Sequence, residues 1–100
     1  MNNTQAQEIL NQIGRSTVLA ISGGRVRFTG ETLVLPVAYG YTVEIDLDPS
    51  DTYTVRRVYT RGVKRFVKGE IDNVYCDQIG DVSYEASCFQ SNDFGAHRVA

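Results

Sequence analysis

Six of the chain's ten basic residues, Arg56, Arg57, Arg61, Lys64, Arg65 and Lys68, fall between Asp51 and Glu70, with no acid among them. Tyr53, Tyr59 and Phe66 are interleaved with these charges. Guanidinium forks grip phosphate or carboxylate oxygens bidentately, an ammonium adds a point charge, and a neighbouring ring can stack a base. The candidate ligand-binding residues are therefore Tyr53, Arg56, Arg57, Tyr59, Arg61, Lys64, Arg65 and Lys68, and their partner is anionic. A phosphate-bearing nucleotide fits, and so does an acidic protein surface, because arginine and tyrosine are also enriched at protein–protein hot spots.

Other constellations carry less. His97 is the sole histidine and has no nucleophile fixed beside it by the sequence. Cys76 and Cys88 lie twelve residues apart on what reads as one helix. At ~1.5 Å per residue that is ~18 Å, beyond disulfide reach, so free thiols and a reducing compartment are expected. With one histidine, a single copy of the chain cannot assemble a tetrahedral zinc set. Asp46, Asp48, Ser50 and Asp51 are reminiscent of a calcium loop, but Pro49 interrupts it, and its glycine and distal glutamate are missing. Glu44, Asp46 and Asp77 could supply paired carboxylates for hydrolysis, yet nothing in the sequence sets two of them on one cleft. Ser22, Gly23, Gly24 and Arg25 could aim backbone N–H groups at an anion, although a glycine pair is more often a plain hairpin turn. A non-enzymatic binding protein, with no cofactor and no metal, is the expectation.

The basic stretch reads as a β-hairpin. Arg61-Gly62 marks the reversal, so Thr60 should face Val63. One face then carries Tyr53, Val55, Arg57, Tyr59, Lys64, Phe66 and Lys68, and the other Arg56, Val58, Thr60, Val63, Arg65 and Val67. Neither face is purely apolar. Such rule-breaking marks a functional surface, unless the aliphatic stems pack and the cationic heads reach back to water.

Around the hairpin the pattern predicts an α+β domain: an N-terminal helix, an antiparallel sheet of five or six short strands, and a C-terminal helix packed on one face. Thr4 and Gln7 have capping-box spacing, Ala6, Ile9, Leu10 and Ile13 form a helical stripe, and Gly14 suits a C-terminal cap. A helix over 4–13 follows. Residues 18–21 and 25–29 read as strands joined by the 22–24 turn, and residues 32–36 as a strand closed by Pro36. Tyr41, Val43, Ile45 and Leu47 alternate with Thr42, Glu44, Asp46 and Asp48, a strand with one buried face. Asp72 or Asn73 would cap a second helix over 74–89, with Tyr75, Ile79, Val82, Ala86 and Phe89 on its stripe. Gly80 within that helix implies a close backbone approach. Residues 91–100 read as a loose tail or an interface.

One hundred residues, 42% hydrophobic and 22% charged, suit a single folded domain with its ordered core over about residues 4–90. A net charge of −2 argues against bulk nucleic-acid binding while permitting a local cationic patch. No apolar run reaches the ~20 residues of a membrane helix. The first residues, MNNTQAQEIL, lack both the basic and the apolar segments of a secretory signal, which suggests a cytoplasmic protein. The oligomeric state is left open, a homo-oligomer included.

The stretches ILNQIG (residues 9–14), Leu35-Pro36, DTYTV (residues 51–55) and VYCDQI (residues 74–79) together resemble a group of small, largely uncharacterised bacteriophage proteins. Arg15, Ser16 and Thr17 stand where that group carries a large hydrophobic residue. The resemblance implies a shared fold, a viral origin and a place in the host cytoplasm. Small phage proteins of this kind often act as host-takeover or counter-defence factors, by binding rather than turnover. The function expected from it is sequestration of a nucleotide signal or occlusion of a host immune effector. An interaction module of phage replication or assembly and a nucleotide-cleaving enzyme are the alternatives.

Overall fold

The computed structural model describes residues 1–90 and 94–95. Helix α1 (Asn3–Ile13) buries Ala6, Ile9 and Ile13. Its capping box is built by Asn2 and Gln5 rather than Thr4 and Gln7, with Asn2 Oδ1 accepting from Gln5 N at 2.8 Å and Gln5 Oε1 accepting from Asn2 N at 3.1 Å. Gly14 (φ 97) breaks the helix, as its placement implied.

The chain then re-enters a helix, α2 (Arg15–Ser22), where a strand was expected over 18–21. Val18, Ile21 and Ser22 are buried, a spacing of three and four that a short apolar run cannot distinguish from a strand. The hairpin expected there is absent, and Gly23 (φ 66) caps α2 in the left-handed conformation, its N–H bonded to Leu19 O at 2.9 Å. Arg25 N and Nε both donate to Ser22 O at 3.2 Å. Two of the donors that a nest would aim at an anion, Gly23 N and Arg25 N, are therefore already bonded to the chain's own carbonyls.

Five strands follow in a simple antiparallel meander: β1 (Arg27–Thr29), β2 (Thr32–Pro36), β3 (Tyr41–Leu47), β4 (Tyr53–Arg61) and β5 (Lys64–Val74). Pro36 ends β2, and Val43 and Ile45 of β3 are fully buried, in agreement with the alternation. β5 runs through residues expected to start the last helix, because Val74 and Ile71 pair with Tyr53 and Val55 and complete the ladder. Asp72 and Asn73 are thus strand residues and cap nothing; Asn73 (φ 53) sits in left-handed backbone one residue before β5 ends at Val74. Helix α3 (Ile79–Ser87) starts later and is shorter than the 74–89 reading. Ile79 and Ala86 are buried as expected, whereas Tyr75 is exposed and Phe89, beyond the helix, is half-buried.

All three helices lie on one face of the sheet, over a core of Ile9, Leu33, Leu35, Val43, Ile45, Val55 and Ile79. A Cβ on Gly80 would stand 2.8 Å from Ile13 O, so α1 and α3 meet at backbone distance, the approach that this glycine implied. Phe94 is buried against the core, contrary to a loose tail, and a Cβ on Gly69 would overlap its carbonyl. Apart from Phe94 and Gly95 the tail residues, His97 included, lie outside the described residues. Cys76 and Cys88 form no disulfide with each other, but Cys76 occupies the turn before α3 and Cys88 its C-terminal cap, so they do not share a helix as expected. Among the described residues no helix is long and apolar enough to cross a membrane.

Candidate functional site at the hairpin end

β4 and β5 form the expected hairpin, with one change of register. Arg61 faces Lys64, Thr60 faces Arg65 and Tyr59 faces Phe66, so the two-residue turn is Gly62-Val63 rather than Arg61-Gly62. Moving the turn by one position changes each partner by two, which leaves every side chain on its expected face as far as Val67. A bulge at Lys68 then places Gly69 opposite Arg57.

The face turned away from the helices pairs its cations internally. Arg56 Nη2 lies 2.5 Å from Asp46 Oδ2 on β3, and its Nε lies 2.8 Å from Glu70 Oε2 on β5, so one guanidinium ties three strands. Arg65 is ion-paired with Glu44, a bridge from β5 to β3 that crosses β4 at Val58, which is fully buried. Burial opposes the charge on Asp46, but hydrogen bonds from Arg56 and from Thr32 Oγ1 outweigh it and hold the carboxyl below its usual range. The Glu44 bond raises Arg65, and those from Asp46 and Glu70 raise Arg56, against the opposing cost of burial in both.

Arg57 points the other way, into the helix layer, and is only 4% exposed. Its Nε donates to Ala86 O at 2.7 Å and its Nη2 to Glu85 O at 2.9 Å, so it caps the C-terminus of α3, where a cation also suits the helix dipole. The Phe94 ring lies 5.5 Å from its guanidinium carbon. Tyr53 is buried at the opposite end of β4, donating its hydroxyl to Gln12 Oε1 at 2.6 Å. Burial, and then the nearby Glu8 carboxylate, push that phenol above its ordinary value.

Of the eight candidate residues, then, Arg56, Arg57, Arg65 and Tyr53 are engaged within the fold, and Tyr59, Arg61, Lys64 and Lys68 come together at the hairpin end. Arg61, Lys64 and Lys68 have no acidic partner among the described residues. Lys68 Nζ stands 5.6 Å from the Phe66 ring centre, and Arg61, Val63, Lys64 and Phe66 line a hollow of about 360 Å³.

A row of rings that the sequence did not reveal runs from this cationic corner. Phe66 stacks near Tyr59 at 6.3 Å, Tyr59 meets Tyr41 at 5.0 Å, Tyr41 stacks on Phe89 at 4.1 Å, and Phe89 meets Tyr39 edge-on at 6.2 Å. Tyr41, Tyr59 and Phe66 are cross-strand neighbours in three successive strands, a relation only the register supplies. One sequence signal was available for Tyr39: a two-residue reversal ending in Gly40 ordinarily begins with Asn or Asp.

Three larger hollows suit an anion less well, and the largest of them, about 500 Å³ along α1, is lined by Glu8 and no cation. One, of about 380 Å³ between α1 and α2, offers Arg15 as its single cation. Another, of about 420 Å³ beside Tyr53, presents Glu8 and Asp51. No group of three or more His, Cys, Asp or Glu residues fit to hold a metal occurs among the described residues.

Set against known proteins, the chain matches no family model, no curated protein and no solved structure.

Proposed function

We propose that this protein is a non-enzymatic binding module that takes a phosphate-bearing nucleotide at the end of its β4–β5 hairpin. The supporting observation is the corner where Arg61, Lys64 and Lys68, without carboxylates of their own, surround the exposed ring of Phe66. Phosphate oxygens would take the fork of Arg61 and the two ammonium groups, while a base lies on the ring. Like charges gathered at one end of an acidic molecule repel one another, and an anionic ligand offsets that cost. In the phage setting that the sequence resemblance suggests, the act is sequestration of a host nucleotide signal as a counter-defence measure.

Calorimetric titration with nucleoside mono-, di- and triphosphates, followed by chromatography of the recovered ligand, tests the reading. Binding that weakens as salt rises, with the ligand returned intact, is the expected result. A cleaved ligand would overturn the non-enzymatic part, and no heat with any nucleotide would overturn the whole.

A further inference from the structure

Resting on that reading of the hairpin end, we infer that the ligand is a single-stranded nucleic acid laid along the aromatic row, with one base on Phe66 and another on Tyr39. The row is too long for one base. Tyr41 and Phe66 stand two strand spacings apart, ~10 Å, and Tyr39, in the turn between β2 and β3, joins the row through Phe89. Tyr41, Tyr59 and Phe89 are half-buried against one another and fix the spacing, while the open platforms are the ends, Phe66 at 42% exposure and Tyr39 at 80%.

Tyr39 supplies an independent observation. Tyr41 N donates to Ala38 O at 2.9 Å, and both central residues, Tyr39 (φ 54) and Gly40 (φ 86), have positive φ, which defines a type I′ turn. Gly40 is required there, because a Cβ would stand 2.8 Å from Thr60 O. At the preceding position Asn or Asp would be unstrained, yet the chain holds a tyrosine in left-handed backbone and turns most of it to solvent. Strain at a residue whose ring gains only an edge contact with Phe89, in a row that also carries three available cations, marks a contact residue. The net charge of −2 confines the electrostatic grip to that cationic end, so affinity rests largely on stacking.

Fluorescence anisotropy with a labelled deoxythymidine strand of about ten nucleotides, within the usual span of such sites, gives the test. Parent protein is compared with Tyr39→Asn and with Arg61, Lys64 and Lys68 all changed to Ala, and thymidine triphosphate serves as a competitor. The strand should bind at least about tenfold more tightly than the triphosphate. For three phosphate contacts the slope of log affinity against log salt should be about −2, and it should flatten in the triple variant. Tyr39→Asn should raise the melting temperature by relieving the turn, cost about tenfold in affinity for the strand, and leave triphosphate binding unchanged. If Tyr39→Asn binds the strand like the parent, or the triphosphate binds as tightly as the strand, the inference fails while the nucleotide reading stands. Binding of neither overturns both, and capture of polyglutamate instead would assign the row to an acidic protein.

Discussion

The outer face of the sheet and the end of the β4–β5 hairpin draw on the same basic stretch and treat it in opposite ways. On the outer face Arg56 and Arg65 are matched with Asp46, Glu70 and Glu44 across three strands. Interleaved with them on the same two strands, Arg61, Lys64 and Lys68 have no acidic partner among the described residues. Arg57, next to Arg56 in sequence, belongs with neither group, because it serves α3 from beneath. A cation's role here follows from which strand positions stand opposite it, and residue type says little about it. The comparison separates cations that hold the fold from cations open to a ligand, so each group should fail in its own way.

The largest effect is expected at Arg57. Removing its charged hydrogen bonds to two carbonyls at the C-terminus of α3, Arg57→Ala should lower stability by ~3 kcal/mol in chemical denaturation, with Arg57→Lys recovering part. A loss under about 1 kcal/mol would return Arg57 to the list of ligand residues. Next, changing Arg61, Lys64 and Lys68 together to Ala should reduce nucleotide affinity on the order of a hundredfold. Stability should stay within about 0.5 kcal/mol of the parent, since these side chains are exposed. A large stability loss would mean that these cations, too, are part of the fold.

Arg56→Met should cost about 1 kcal/mol, because its head is partly buried between two carboxylates, and ligand affinity should not change. A fall in affinity with stability intact would merge the two groups and break the comparison. The smallest effect is the acid response of the outer face. Asp46 has a depressed folded pKa, so its contribution is full above the ordinary aspartate value of ~3.9 and is lost as pH falls through the lower folded value. Urea denaturation below about pH 4 should therefore show a shallower fall in stability for Asp46→Asn than for the parent. Equal slopes would mean that the Arg56 bridge contributes nothing in solution.

Much of the frame was legible in the sequence because it rests on local rules. The alternation of residues 41–47 marked β3, the stripe of Ala6, Ile9 and Ile13 marked α1, and Gly80 announced a backbone contact. α2 was not legible: Val18–Ile21 is too short for its period to show, and a glycine pair closes a helix as readily as it turns a hairpin. The extension of β5 through Val74 was hidden as well, since Asp72 and Asn73 carry the signature of a helix cap that the ladder overrode.

For the site, the sequence by itself determined that a cationic, aromatic hairpin exists and which side chains share its two faces, because both follow from residue type and the two-residue period of a strand. The tertiary structure decided the rest. Carboxylates at Asp46 and Glu44 reach Arg56 and Arg65 only once β3 is docked in register, and α3 must cross β4 before Arg57 has carbonyls to bind. The rings of Tyr39, Tyr41 and Phe89 likewise meet Tyr59 and Phe66 only when a turn, two strand registers and the end of a helix converge. Pairing of charges and stacking of rings are short-range interactions between residues far apart in the chain, so no local pattern encodes them.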